Sequence, residues 1–402
     1  MPQMTSWGAA GAAMPLKIAR SAEAAKLLKD QNFRWQWLRL YEGCPWATTA
    51  QSPAFVCSWY EAYQEDYRPF LVSQLSASND LVGFLPVALG RNGQAVLPGA
   101  HQAEYKGWLS LPSNGTAFFA ESLRVLSRET GIGTLLFRYL PPGAPLDGAC
   151  VSSLPWVCEM RTHRRPIVPL GNAAGMAEYV REKTNKTLRN SWNRLKRTGD
   201  LRLEQIRKTQ ELVPIFDQLI DWYDNRQATA HGKRPFHDDK NKKIWHLYLL
   251  REGLLHVTLL KAGPEVMSAV FGLSDGKTYS LMMSMFAPEC ARYSPIALHH
   301  LMLVERLHAK GYSVLDLTPG PDPFKERFAS AYEDVQVLSI YFKQREWIKA
   351  KLQQQSKAIA EETLSALGIA PESAGRNLQR LLALLRLKRT PRKESSHRPE
   401  PV

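Results

Sequence analysis

The alternation of apolar and polar positions is clearest in the middle of the chain. Residues 255–261 and 265–273 are β-branched and aliphatic runs separated by Ala262-Gly263-Pro264. Asp275-Gly276 follows, and then a third run, 278–286. Asp-Gly between two apolar runs predicts a hairpin, because both residues tolerate the positive φ of a tight turn. Three antiparallel strands are therefore expected. A helix over 295–310 comes next, with Ser294 as N-cap, Pro295 at its first position and Gly311 as its stop. A short buried strand is expected at 312–317, a loop at 318–323, a short helix at 324–330 and a strand at 334–342. Upstream, 201–206 predicts a strand, and 211–229 and 238–251 predict helices. The order is β-α-α-β-β-β-α-β-α-β.

The first half carries a shorter version of that order: a helix at 53–64, strands at 68–75 and 80–89, a helix at 116–130 and a strand at 134–140. A degenerate repeat of the same unit is one reading of it, and an unrelated α/β cap is the other. The expected organisation is a flexible N-terminus at 1–30, units at 31–160 and 165–345, and a helical basic tail at 346–402.

Composition narrows the classes. The chain has 402 residues, 44 % of them hydrophobic, which is enough for two well-buried cores. Five scattered cysteines contain no CxxC pair, so neither a zinc site nor a disulfide framework is expected, and a reducing, cytoplasmic setting fits. The first fifteen residues do not read as a signal peptide, and no window is apolar for long enough to span a membrane. The net charge of +14 is local: residues 161–208 carry +9 and residues 374–398 carry +7, which leaves −2 for the rest. Each segment reads as the place of an anionic partner or as a solvated helix face.

Five stretches together resemble a known family. They are Lys186-Thr-Leu-Arg-Asn-Ser-Trp-Asn-Arg-Leu-Lys-Arg197, His231-Gly-Lys-Arg-Pro-Phe236, Ala291-Arg-Tyr-Ser-Pro295, Leu315-Asp-Leu-Thr-Pro-Gly320 and Phe324-Lys-Glu-Arg-Phe328. In order and spacing they look like the GNAT acyltransferase superfamily. Within it they resemble the bacterial tandem GNAT-like proteins associated with cellulose and exopolysaccharide biosynthesis, which are related to Fem-type peptidyltransferases. The resemblance implies an α/β (α+β) fold of two tandem GNAT-like units with mixed sheets. It also implies acetyl-coenzyme A or another acyl-coenzyme A as co-substrate, and a saccharide or envelope precursor as acceptor.

The same resemblance places the coenzyme A pyrophosphate at the N-terminus of the 295–310 helix, on Arg292, Tyr293, Ser294 and Ala297. Free N–H groups and the helix dipole favour an anion there. The family usually has a glycine where Ile296 stands. The acyl carbonyl would lie along 278–286, polarised by a backbone N–H near Met282 and Ser284. Asp316, Lys325 and His231 are the candidate catalytic residues. The plain alternatives are a strand-end cap for Asp316, an exposed cation for Lys325 and a surface-loop imidazole for His231. Lys186 and Arg197 share the basic face of an amphipathic helix and, with Arg226, are candidate acceptor contacts. No metal-ligand cluster is visible, and His299-His300 point to different faces of their helix.

The tail over 376–389 has six leucines and five basic residues, which suits an anionic membrane surface or a partner. Three functions stay open. They are acyl-coenzyme A transfer to an amino or hydroxyl group, Fem-like transfer from aminoacyl-tRNA with the basic stripe on RNA, and a non-catalytic adaptor in a polysaccharide-synthesis complex. The expected location is cytoplasmic, with peripheral contact at the inner face of the cytoplasmic membrane.

Overall fold

Two sheets of unequal size organise the chain. A computed structural model describes residues 15–366 apart from 92, 130 and 147–154. The first half begins with β1 (Leu16–Arg20), α1 (Ser21–Lys29), α2 (Gln31–Gly43) and α3 (Pro53–Ala62). It continues with β2 (Tyr67–Leu75), β3 (Leu81–Gly90), β4 (Ala95–Val96), β5 (Leu109–Ser110), α4 (Gly115–Arg128) and β6 (Thr134–Phe137). The smaller sheet is antiparallel in the order β1-β2-β3-β4, with β5 also on β3. Capping side chains start its helices: Asp30 accepts the Phe33 N–H at 2.7 Å and Ser52 the Phe55 N–H at 3.2 Å.

The second half runs through β7 (Val157–Pro169), α5 (Ala173–Lys183), α6 (Lys186–Thr198), β8 (Leu201–Ile206), α7 (Thr209–His231), α8 (Pro235–Asp238) and α9 (Asn241–Arg251). Then come β9 (Leu255–Ala262), β10 (Glu265–Ser274), β11 (Thr278–Phe286), α10 (Pro295–Ala309), β12 (Val314–Asp316), α11 (Pro323–Phe328), β13 (Ala331–Tyr341) and α12 (Gln344–Ala366). The larger sheet has eight strands in the order β6-β13-β7-β12-β11-β10-β9-β8. It is mixed, since β11 and β12 run parallel. The expected meander is present as β9–β11. β6, from the first half, closes the far edge on β13.

Four expectations need correcting. The helix expected at 238–251 starts only at Asn241. The buried Asp224 carboxylate accepts the N–H groups of Phe236 (3.1 Å) and His237 (2.9 Å) and holds α8 as a separate turn. Ser294 stands at the N-cap of α10, but in the left-handed region (φ +50°) and with no side-chain cap bond. The strand at 312–317 shrinks to three residues, because β12 pairs only over 314–316. Cys158 is disulfide-bonded. Spacing does not reveal such a pair, since a disulfide needs only two Cα atoms within about 7 Å. The leucine-rich segment 376–389 lies outside the described residues. Among the described residues no helix is long and apolar enough to cross a membrane.

The two halves share one core. A continuous cluster of buried side chains runs from Ala19 to Phe342 and joins both sheets. At the join, α3 packs on α9 with Phe55 edge-on to Trp245 at 5.5 Å. A second cluster lies under α5, α6 and α10.

Four histidines are sealed inside. His299 is bridged between Thr258 Oγ1 (2.8 Å) and Ser268 Oγ (2.9 Å), and His300 lies 2.9 Å from the Tyr179 hydroxyl. Burial pushes His246, His299 and His300 down to about 3 and His256 to about 4. These imidazoles stay neutral in the fold, while in the unfolded chain they gain protons below about pH 6.5. Stability should therefore be fully present above that pH and be lost as it falls toward 4. The slope is about 1.4 kcal/mol per pH unit for each histidine that takes up a proton only on unfolding. Urea unfolding between pH 7 and 4.5 checks this: H299Q should flatten the slope, and an unchanged slope would refute the assignment.

Candidate active site

β11 and β12 are in register from Thr278/Val314 to Ser280/Asp316, and there their pairing ends. β12 stops, while β11 continues to Phe286 against β10 alone. The ladder of β11 is also interrupted: Phe271 faces Met283 and Gly272 faces Leu281, so Met282 is an extra residue with no opposite number. Such a bulge turns a backbone group out of the sheet. Gly272 makes it fit, since a Cβ there would meet the buried Tyr279 ring at 2.3 Å. On one side of Leu281 the parting strands enclose a nearly filled slot of about 10 Å³, lined by Ser284, Ile296, His300, Leu317 and Phe324 among others. On the other side lies a cavity of about 80 Å³. Its walls are Ser280–Met282 and Thr318 from the second half, and Thr48–Ala50 with Gln102–Tyr105 from the first.

A buried ion pair sits at the apex. Asp316 is fully buried at the end of β12, and its Oδ2 lies 3.3 Å from Arg165 Nε on β7. Ser280 Oγ donates to the same carboxylate at 3.4 Å and the Thr318 N–H at 2.7 Å. Burial pushes the Asp316 carboxyl up, and Arg165 and the Thr318 N–H pull it back down. The Tyr105 hydroxyl lies beside Asp316 without a well-formed hydrogen bond, and its ring lies 5.0 Å from the Arg165 guanidinium. Glu104, ion-paired to Arg138 at 3.4 Å, also lines the cavity. Burial raises its carboxyl too, against the pull of Arg138, Lys106 and Lys325. A carboxylate raised this way and open to a cavity suits proton abstraction.

The structure brings two of the three candidate catalytic residues together. Lys325 Nζ donates to the Thr318 carbonyl (2.9 Å), Thr318 Oγ1 (3.1 Å) and the Pro319 carbonyl (3.3 Å). It thus fastens the loop that begins at Asp316. His231 is exposed at the end of α7 and lines neither the slot nor the cavity. Met282 lines the cavity and Ser284 the slot, where Arg226 donates to the Ser284 carbonyl at 2.6 Å. The start of α10 is short of donors. The Ser294 N–H is bonded to Ala291, Pro295 has none, and the Ala297 and Leu298 N–H groups both bond the Ser294 carbonyl. Arg292 is exposed over the Tyr293 ring at 4.8 Å. Lys186 and Arg197 are exposed on α6, which packs against the turn that carries Arg292.

Arg165, Tyr105 and Glu104 escaped the sequence reading. Arg165 was hidden in a run of cations, and the polar cluster His101-Gln-Ala-Glu-Tyr-Lys106 inside an apolar stretch was the signal for the other two.

Residues 182–326 match the family model of the acetyltransferase (GNAT) domain. That span contains β11, β12, Asp316 and Lys325, so the GNAT segment holds the parting strands. No curated protein matches the chain in sequence. Among solved structures, FemX is 8 % identical, with 79 % of this chain and 98 % of that chain covered and a TM-score of 0.52, a likeness of fold. The C-terminal domain of a putative lysylphosphatidylglycerol synthetase from Agrobacterium fabrum is 14 % identical, with 83 % and 96 % covered and a TM-score of 0.49. A tandem GNAT protein from the clavulanic acid biosynthesis pathway is 13 % identical, with 82 % and 99 % covered and a TM-score of 0.45. The mixed α/β fold expected from the sequence stands, with the GNAT-matched segment in the second half and an antiparallel sheet, where a mixed one was expected, in the first. Among the described residues no group of side chains is arranged to hold a metal ion.

Removing one member of the apical pair should be worse than removing both. R165M leaves a buried carboxylate uncompensated and should cost about 3–5 kcal/mol. The R165M/D316N double variant should recover most of that loss. Urea denaturation of the single and double variants measures both, and a wild-type midpoint for R165M would remove the pair from its structural role.

Proposed function

We propose that this chain is an acyltransferase that moves an acyl group, acetyl in the simplest case, from an acyl-coenzyme A to an amino or hydroxyl group of a saccharide or cell-envelope precursor. One observation carries the reading. The parting of β11 and β12 at Ser280 and Asp316 leads into a cavity whose far wall belongs to the other half of the chain. A linear acyl arm along β11 and an acceptor entering from the cavity then meet at Met282, each by its own route. The match of the GNAT family model supports the acyl-coenzyme A donor. The saccharide acceptor and a place in cellulose or exopolysaccharide synthesis at the inner membrane face rest on the motif resemblance.

In this reading the acceptor's amine or hydroxyl attacks the thioester carbonyl. The new C–N or C–O bond forms, the C–S bond breaks, and the sulfur leaves as a thiolate that takes up a proton from solvent. The backbone N–H of Met282, out of the ladder, meets the developing oxyanion, a contribution of about 3–4 kcal/mol for such a donor. Glu104 takes the acceptor's proton. Asp316 is too enclosed to exchange protons with a substrate, and it fixes Thr318 and Arg165. Lys325 holds the loop in place.

A second reading is favoured by the bonded amides at the start of α10. A pyrophosphate there would rely on the Ile296 N–H and Arg292, a thin grip for a highly charged group. The neighbouring face of α6 exposes Lys186, Arg189, Arg194 and Arg197, a spacing that suits a polynucleotide backbone. Transfer from aminoacyl-tRNA uses the same chemistry at the carbonyl, with the tRNA ribose oxygen as the leaving group.

Thermal unfolding of the full chain separates the donors. Acetyl-coenzyme A at about 100 times its Kd should stabilise the protein by about 2.7 kcal/mol. A rise with aminoacyl-tRNA alone selects the second reading, and no rise with either ends both. With the donor in hand, E104Q should lower kcat by about 10²-fold or more, as for a lost general base. D316N and K325A should each cost about tenfold by loosening the loop. Full activity in E104Q would exclude it as the base.

A further inference from the structure

The segment His101–Lys106 has a second side. Its middle lines the acceptor cavity, while His101 and Lys106 line a cavity of about 870 Å³ formed with β4, β6, β13 and α12. This larger space takes no part in the transfer chemistry above. Its charges are lopsided. Lys106, Arg138, Lys343, Arg345 and Lys349 line it against one carboxylate, Glu346, which already faces Arg345 at 3.4 Å and Lys349 at 4.0 Å.

Lys106 is the informative group. It is only 4 % exposed, yet among the described residues its ammonium has no hydrogen bond and no ion pair. Burial lowers its pKa to about 7, with Glu104 opposing the shift and Arg138 adding to it. A buried lysine without an ion pair, its ammonium opening on this cavity, is placed to meet an anion that enters it. Arg138 lies beside it, and its pairing with Glu104 at 3.4 Å leaves other guanidinium donors free of that carboxylate. The remaining walls are mixed: Val96, Leu97, Leu135 and Ile340 are apolar, and Thr134 and Ser339 carry hydroxyls. A space of this size, with both cations and apolar walls, suits an organic body with one anionic group.

We propose that this cavity binds a phosphorylated ligand, with the phosphate on Lys106 and Arg138 and the organic part between β4, β6 and α12. Two phosphate-group donors, Lys as a point charge and Arg as a fork, fit that chemistry better than a single carboxylate does. The claim is independent of which acyl donor is used, because it concerns binding and not turnover.

Calorimetric titration of the full chain with inorganic phosphate and with glycerol 3-phosphate, and co-sedimentation with phosphatidylglycerol against phosphatidylcholine vesicles, test it. At least one phosphate-bearing probe should bind saturably to the wild type. K106M should weaken that binding tenfold or more, and K349A, on the outer helix, about threefold. K106M without ligand should melt no lower than the wild type, since it removes a buried unpaired charge, and this confirms that the variant is folded. Preference for the anionic vesicles would assign the phosphate to a lipid headgroup, and preference for glycerol 3-phosphate to a soluble ester. Undiminished binding in K106M, or no binding of any probe to the wild type, overturns the proposal.

Discussion

The Asp316 carboxylate is tolerable inside the protein only because Arg165 reaches it, and much of the cleft follows from keeping those two together. Arg165 sits on β7, and Asp316 closes β12, which contacts β7 over three residues. β7 then continues past the end of β12 to pair with β13 as far as Val157. That length leaves room for β11 and β12 to part at their far end while the sheet stays continuous. The carboxylate's other oxygen takes the Thr318 N–H, and so sets the direction of the following loop. Thr318 is held at φ +63°, and its carbonyl is fastened by Lys325. Three residues around the cleft, Tyr105, Ser294 and Thr318, have positive φ without being glycine. Such strain persists where surrounding contacts over-determine it, and that is common at sites of function.

The second half was legible because its signals are local. The Asp-Gly turn, the Ser-Pro helix start and the apolar runs predicted β9–β11 and α10 closely. β7 was invisible for an opposite reason. Its residues 161–164 are exposed polar positions paired across to β13, so no apolar alternation marks it. Its cations read as a helix-like basic segment, when one of them points inward to Asp316. The site divided along the same line. Asp316 and Lys325 sit in recognisable motifs, while Glu104 and Tyr105 reach the cleft only through packing between distant parts of the chain. Spacing along a sequence carries no trace of that.

Burial changes what the positive charge means. The +9 of residues 161–208 appears as one property in the sequence, but it has at least three fates in the fold. Arg165 is neutralised inside the sheet, and Arg164 lies over the Tyr332 ring at 3.8 Å. The cations of α6 remain in solvent above a buried stripe of Leu188, Ser191 and Leu195. This last group keeps its charge available to a partner. Meanwhile Lys106, outside both basic segments, is a buried lysine with no ion pair among the described residues. Net charge by segment therefore locates surface fields but misses single buried cations, whose energetics are larger because solvent does not screen them.

The cavity at Met282 is built by both halves of the chain. Its far wall is the capped single 3-10 turn that starts at Thr48 and the irregular Gln102–Tyr105 segment, both too short to hold their place alone. They are fixed by each other: Thr48 Oγ1 and Gln51 Nε2 both donate to the Tyr105 carbonyl, at 3.0 and 3.1 Å. The Gln51 carbonyl in turn accepts from the buried Trp37 indole at 3.0 Å. The chain of contacts thus runs from the core of the first half, through the positive-φ backbone of Tyr105, to the Arg165–Asp316 pair. Across the join, Tyr63 donates to Asp239 at 2.7 Å and Gln102 to the same oxygen at 2.8 Å, locking this wall to the segment between α8 and α9. A GNAT segment alone has the parting strands and the bulge. It lacks the wall, the candidate base Glu104 and the aromatic face that covers Arg165. The first half supplies all three, and it does so through polar contacts that need the shared core to hold them in register.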